Sequence, residues 1–238
     1  MEIFIQGIEN REVICGSAEE PAKIDKWRGV TYILGNTSDD IELLFNINWY
    51  ILDLLGTIDL QWLPPTVHLV TISANKLGGS LNLTALPPSI QLLDLASNDF
   101  SGEIDLCQLP SKIEDLSLSN NQLSGSLSLD ELPQSIQRLF LGTNRFSGTL
   151  CLRHLPPRLY YLSVSENELN GTVDLTLLSV MLKFLWLRKN NFEGKTDFRQ
   201  LPEALEILNI SHTNLSGEIL IGNRTTRFNV EHSNVQLI

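Results

Sequence analysis

The chain has 238 residues, 42% of them apolar and 44 of them leucine, with 28 acidic against 17 basic side chains and a net charge of −11. That acidic balance argues against DNA or an anionic membrane as the main partner, because phosphate binding needs clustered Lys and Arg to release counterions. A mean hydropathy of +0.02 argues against a disordered acidic tail, and three cysteines are too sparse and odd a set for a disulfide-stapled scaffold.

Residues 1–39 read as an N-terminal flank or cap. No basic start followed by a long apolar run is visible there, so no signal peptide is expected. The most apolar window, residues 41–60, carries Glu42, Asn46, Asn48, Asp53 and Asp59, which makes direct membrane insertion costly. The expected location is cytoplasmic for the chain as it stands, or extracellular if the N-terminus is incomplete.

Residues 40–62 read as an eroded repeat, and residues 63–223 as seven clean ones. A leucine, usually followed by proline, recurs every 23 residues at Leu63, Leu86, Leu109, Leu132, Leu155, Leu178 and Leu201. One column holds Asn75, Asn98, Asn121, Asn144, Asn167 and Asn190, with Thr213 replacing it in the last copy. A glycine column runs from Gly56 through Gly79, Gly102, Gly125, Gly148, Gly171 and Gly194 to Gly217. Leu77, Phe100, Leu123, Phe146, Leu169, Phe192 and Leu215 alternate leucine with phenylalanine, as side chains filling successive core layers would. Residues 224–238 form a shortened final repeat, in which 228–235 copy 208–215 at a spacing of 20. An open terminal strand tends to pair, so the expectation is a longer chain or a frayed cap at this edge, with contact to a partner or self-association through the C-terminal edge as the alternative.

The pattern Leu-x-x-Leu-x-Leu-x-x-Asn-x-Leu, here Ile113, Leu116, Leu118, Asn121 and Leu123, resembles the leucine-rich repeat family over roughly residues 40–223. The second half, as in Phe100-Ser101-Gly102-Glu103-Ile104, is similar to the plant-type, extracellular class. The segment from Trp27 to Tyr32 resembles the cap before such arrays, with Tyr32 in place of its cysteine, so a capping disulfide is not expected there. The resemblance implies an α/β-type repeat solenoid, predominantly β, curved as a horseshoe with a parallel concave sheet.

Several columns carry their own physics. The segment around Leu93 alternates with period two, as a strand must. An asparagine amide both donates and accepts, so it can satisfy backbone groups at a buried bend, where an orphan costs about 1–3 kcal/mol. Thr213 supplies a shorter version. Glycine permits a backbone that a side chain would oppose, and proline after the first leucine discourages helix, so few or no regular convex helices are expected.

No Ser-His-Asp order, phosphate-cradling glycine loop or metalloprotease helix appears, so the chain is read as non-enzymatic, with no cofactor and no metal. Cys107 and Cys151 fall in different columns two repeats apart and read as half-buried free thiols. The positions pointing into the concave face are mostly small or polar until the fourth copy. There Arg138, Phe140, Tyr161, Phe184 and Trp186 gather on adjacent strands, with Arg145, Arg188 and Lys189 just beyond. Aromatics and Arg dominate interface hot spots, and exposed aromatics have no core to fill. The alternative for the rings is a cross-strand ladder that only stabilises the sheet. Three or four cations in a chain of −11 make single-stranded nucleic acid a poor match. The sequence therefore points to a protein or peptide partner on the concave face, or, in a surface or secreted setting, to a receptor-like or inhibitor-like ectodomain for a protein or glycan. Asn-x-Ser/Thr occurs at Asn36, Asn82, Asn170, Asn209, Asn214 and Asn223, about twice what chance would give, and is a weak pointer to export.

Overall fold

The computed structural model describes residues 1–36, 41–223 and 225–238. The boundaries expected at residues 39/40 and at 224 fall outside the described residues. The chain winds as a β-solenoid in which each repeat places one strand in an inner sheet and one in a second sheet.

The inner sheet has ten strands. It opens with an antiparallel hairpin, Val30–Asn36 against Ile41–Asn48, and then adds parallel strands one repeat at a time. These run through Val67–Thr71, Leu92–Asp94, Asp115–Ser117, Arg138–Phe140, Tyr161–Ser163, Phe184–Trp186 and Ile207–Asn209 to Arg227–Asn229. In the three-residue strands from Leu92–Asp94 to Ile207–Asn209 the middle leucine points to the core and its two neighbours point away, whereas the last strand, Arg227–Asn229, has the partly buried Phe228 in the middle. Leu93, Leu116, Leu139, Leu162, Leu185 and Leu208 are fully buried. The second leucine of each repeat, as in Leu95, Leu118 and Leu141, is fully buried too, so neighbouring repeats share one continuous apolar spine.

The sequence pointed to one sheet; the structure has two. The second sheet contains nine strands, from Leu55–Thr57 to Asn234–Leu237, built on the glycine-bearing half of each repeat. In the strand Asp99–Glu103, Phe100 is buried while Asp99 and Ser101 are exposed, the same period-two alternation as the inner sheet. All of Leu77, Phe100, Leu123, Phe146, Leu169, Phe192 and Leu215 are fully buried, so the alternating column packs the core beneath this sheet. Gly102 and Gly125 sit at φ +87°. A β-carbon at Gly125 would lie 2.8 Å from Glu103 Cγ, which is too close.

The asparagine column joins the two sheets. Asn98 Nδ2 donates to Ile72 O of the preceding repeat at 3.0 Å and to Leu95 O and Ala96 O at 3.2 and 3.3 Å. Its Oδ1 accepts from Leu77 N at 3.1 Å. Asn121, Asn144, Asn167 and Asn190 repeat this set of contacts. Thr213 Oγ1 reaches Ile210 O, within its own repeat, at 2.7 Å. The residue before each asparagine is left-handed, as at Ser97 (φ +55°) and Glu166 (φ +58°). A non-glycine residue there costs roughly 1–2 kcal/mol, which the amide contacts at the same bend offset.

On the convex side the chain returns in extended segments and short turns, with 3₁₀ turns at Leu60–Trp62 and Leu83–Ala85. Asp59 and Asn82 cap these turns, and Asp105, Asp174 and Asp197 accept from the backbone two residues on in the matching place of later repeats. At the N-terminus, Phe4, Ile5 and Ile8 are buried, and Phe4 stacks on Trp49 with ring centroids 5.7 Å apart. Tyr32 packs edge-on against Phe45 at 5.0 Å, an aromatic contact at the cap position. Glu9 N donates to Leu55 O at 2.9 Å and Thr57 N to Gly7 O at 2.8 Å, so this segment covers the start of the second sheet as the hairpin covers the inner one.

Candidate functional site

Strand register places the expected inner-face side chains. Asp115, Arg138, Tyr161, Phe184 and Ile207 align across five strands, and Ser117, Phe140, Ser163, Trp186 and Asn209 form the parallel row two residues on. Phe140 and Tyr161 lie with ring centroids 4.5 Å apart, and Tyr161 and Phe184 5.5 Å apart, each pair tilted by 37°. All four aromatic side chains, Trp186 included, are half-buried. Burial pushes the Tyr161 phenol above the ordinary tyrosine range. Trp186 Nε1 is shut off from solvent and meets no acceptor among the described residues.

The cations fall out differently. Arg138 sits beside Asp115 on the neighbouring strand; its Nε donates to one carboxylate oxygen and its second nitrogen to the other at 2.5 Å. That hydrogen-bonded carboxylate holds the guanidinium pKa above its usual value. Arg188 donates to Glu166, and Lys189 Nζ lies 3.4 Å from the same carboxylate. Three cations thus face two carboxylates, so the basic excess shrinks to one charge. Arg145 is a correction: it begins the second-sheet strand Arg145–Thr149 and donates to Gln122 at 3.1 Å, outside the concave face. The reason is the bend at Asn144, which turns the chain out of the inner sheet. Asn209, one of the Asn-x-Ser/Thr sites, is 5% exposed and accepts from Ser211 N and Oγ, which leaves no room for a glycan.

A group missed by the sequence lies on the convex side. Asp130, Cys151 and His154 bring one ligand atom each to within 4.8 Å of one another. His154 Nδ1 is 3.1 Å from Asp130 Oδ1. Hydrogen bonds from the Cys151 thiol and from His154 hold the Asp130 carboxyl below the usual carboxylate range. The pair Cys151 and His154, three residues apart, was the available signal; Asp130 joins from the preceding repeat at an offset that no single column shows. Cys107 and Cys151 are both half-buried free thiols. Among the described residues no helix is long and apolar enough to cross a membrane.

No protein-family model and no curated protein matches the sequence. Solved structures do match. The ectodomain of the Arabidopsis thaliana receptor kinase SOBIR1 is 24% identical over 71% of this chain and 97% of its own, with a TM-score of 0.50. YopM from Yersinia enterocolitica is 27% identical over 74% of this chain and 39% of its own, with a TM-score of 0.52. The ectodomain of the Arabidopsis receptor kinase HAESA, solved with an extended IDA peptide hormone, is 24% identical over 65% of this chain and 31% of its own, with a TM-score of 0.52. This chain therefore spans less than half the length of YopM and of the HAESA ectodomain. The fold is that of a leucine-rich repeat solenoid, predominantly β, with parallel sheets and almost no helix.

Proposed function

We propose that this chain is a non-enzymatic interaction module that docks a protein or peptide on its inner face. Phe140, Tyr161, Phe184 and Trp186 are the anchors, and Arg138, Arg188 and Lys189 form the rim. The observation that carries this is the aromatic group: three rings in contact across three strands, half-open, on the face turned away from the core. Such rings supply large contact area at little entropic cost and concentrate binding energy. Among the described residues the Trp186 N–H has no acceptor, so a partner that offers one gains a hydrogen bond when the indole turns outward. A cross-strand ladder also stabilises the sheet, but it does not account for an unpaired indole donor. The peptide seated on the HAESA ectodomain supports the partner class.

A second reading is that this is a receptor-like recognition ectodomain of the plant-type repeat class. The second sheet on the Ser-Gly half-repeats favours it. A sugar ring would then stack on the same aromatics.

Selection from a displayed peptide library on the immobilised chain tests the main reading. Selected peptides should lose about 100-fold or more in affinity for the double variant Tyr161→Ala, Trp186→Ala. They should keep their affinity for Arg145→Ala on the second sheet. Equal binding to the double variant would refute the inner-face assignment.

A further inference from the structure

We propose that Asp130, Cys151 and His154 form a surface site for a divalent transition ion of the zinc class, clamping two adjacent repeats on the convex side. The donor set carries the assignment. One carboxylate oxygen, one sulfur and one imidazole nitrogen converge within 4.8 Å. Hard ions such as calcium and magnesium select oxygen alone, whereas mixed sulfur, nitrogen and oxygen ligation suits zinc and cobalt.

The geometry is close to what such an ion needs. Tetrahedral zinc bonds of about 2.0–2.3 Å place neighbouring ligand atoms about 3.3–3.8 Å apart. Asp130 Oδ1 and His154 Nδ1 already lie 3.1 Å apart, and the widest separation in the group is under 4.8 Å. A side-chain adjustment of about 1 Å therefore closes the set, and these side chains can make it because Asp130 and His154 are exposed and Cys151 is half-buried. The backbone beneath them is held: Leu129 and Leu152 are buried beside Asp130 and Cys151, and Leu150 is buried on the other side of the cysteine. The fourth position opens to water.

Local charge fits as well. Arg153, the cation between two of the ligands, is drawn toward the following repeat, with its Nε 3.4 Å from Asp174. Negative charge at the site comes from Asp130, in the preceding repeat, which lies against His154. Metal entry replaces the Asp130–His154 hydrogen bond. The Cys151 thiol proton passes to solvent as the metal–thiolate bond forms, so binding strengthens as pH rises.

The test is a cobalt titration of the full chain after treatment with a chelator. Co²⁺ at one equivalent should bring up a thiolate-to-cobalt charge-transfer band and the strong visible bands of tetrahedral cobalt, and Zn²⁺ should bleach both. Cys151→Ser should lose the charge-transfer band. His154→Ala and Asp130→Asn should weaken binding about tenfold or more. Cys107→Ser should retain the whole spectrum. All four positions are at least partly open, and far-ultraviolet circular dichroism verifies that each variant is folded. A wild-type chain that shows no saturable cobalt spectrum would overturn the proposal. So would a band that survives Cys151→Ser or disappears with Cys107→Ser.

Discussion

Replacing Asn167 by alanine tests the force that couples one repeat to the next. Its Nδ2 donates to Leu141 O at 3.1 Å, Val164 O at 3.0 Å and Ser165 O at 3.2 Å, and its Oδ1 accepts from Phe146 N at 3.0 Å. The alanine leaves the Phe146 N–H without its acceptor and Leu141 O without this donor, both at a buried bend. At about 1–3 kcal/mol for each orphan, the expected loss is about 2–6 kcal/mol. Thr213→Ala removes one hydroxyl bond within a single repeat and should cost about 1 kcal/mol. Equilibrium unfolding in urea with an unchanged denaturant slope reads both values, and amide exchange at Phe146 should accelerate in the Asn167 variant. Equal losses from the two variants, or less than about 1 kcal/mol at Asn167, would refute the view that the asparagine column carries inter-repeat coupling.

The glycine column and the aromatic face give further expectations. Gly125→Ala forces a side chain into φ +87° and against Glu103, and should cost about 1–3 kcal/mol in the same unfolding assay. Gly102→Ala at the same φ meets nothing nearer than Ser80 Cβ at 3.7 Å and should cost less. Tyr161 should ionise above the ordinary value of about 10, because burial disfavours the phenolate. The folded chain then holds that proton more tightly than the unfolded one, so this contribution is complete below the unfolded value and is lost as pH rises through the folded one. Ultraviolet difference titration should show a late step that Tyr161→Phe removes.

The repeat was legible because its core columns recur every 23 residues without insertion, and an inserted or deleted residue would break the register. Leu93, Leu116 and Leu139 are buried for the reason their period predicted. The second sheet was readable in the same way, from the buried Phe100 between exposed Asp99 and Ser101, but the glycine two residues on masked it as a bend. Charge pairing is harder to see. Asp115 and Arg138 share a column and could have been paired by eye, as could Glu166 and Lys189, whereas Glu166 meets Arg188 across columns, through the turn before Asn190. Asp130 and His154 are offset by one residue from the repeat for the same reason. Columns report stacking between neighbours, and side chains that reach diagonally escape them.

The central claim, that the inner aromatic face is the docking surface, is tested most directly by carbon-detected aromatic resonances of the chain as a selected peptide is added. Phe140, Tyr161, Phe184 and Trp186 should shift together and saturate at one equivalent, while the buried Phe146 and Phe192 of the core beneath the second sheet stay in place. Shifts confined to residues outside that face, with these four side chains unmoved, would contradict it.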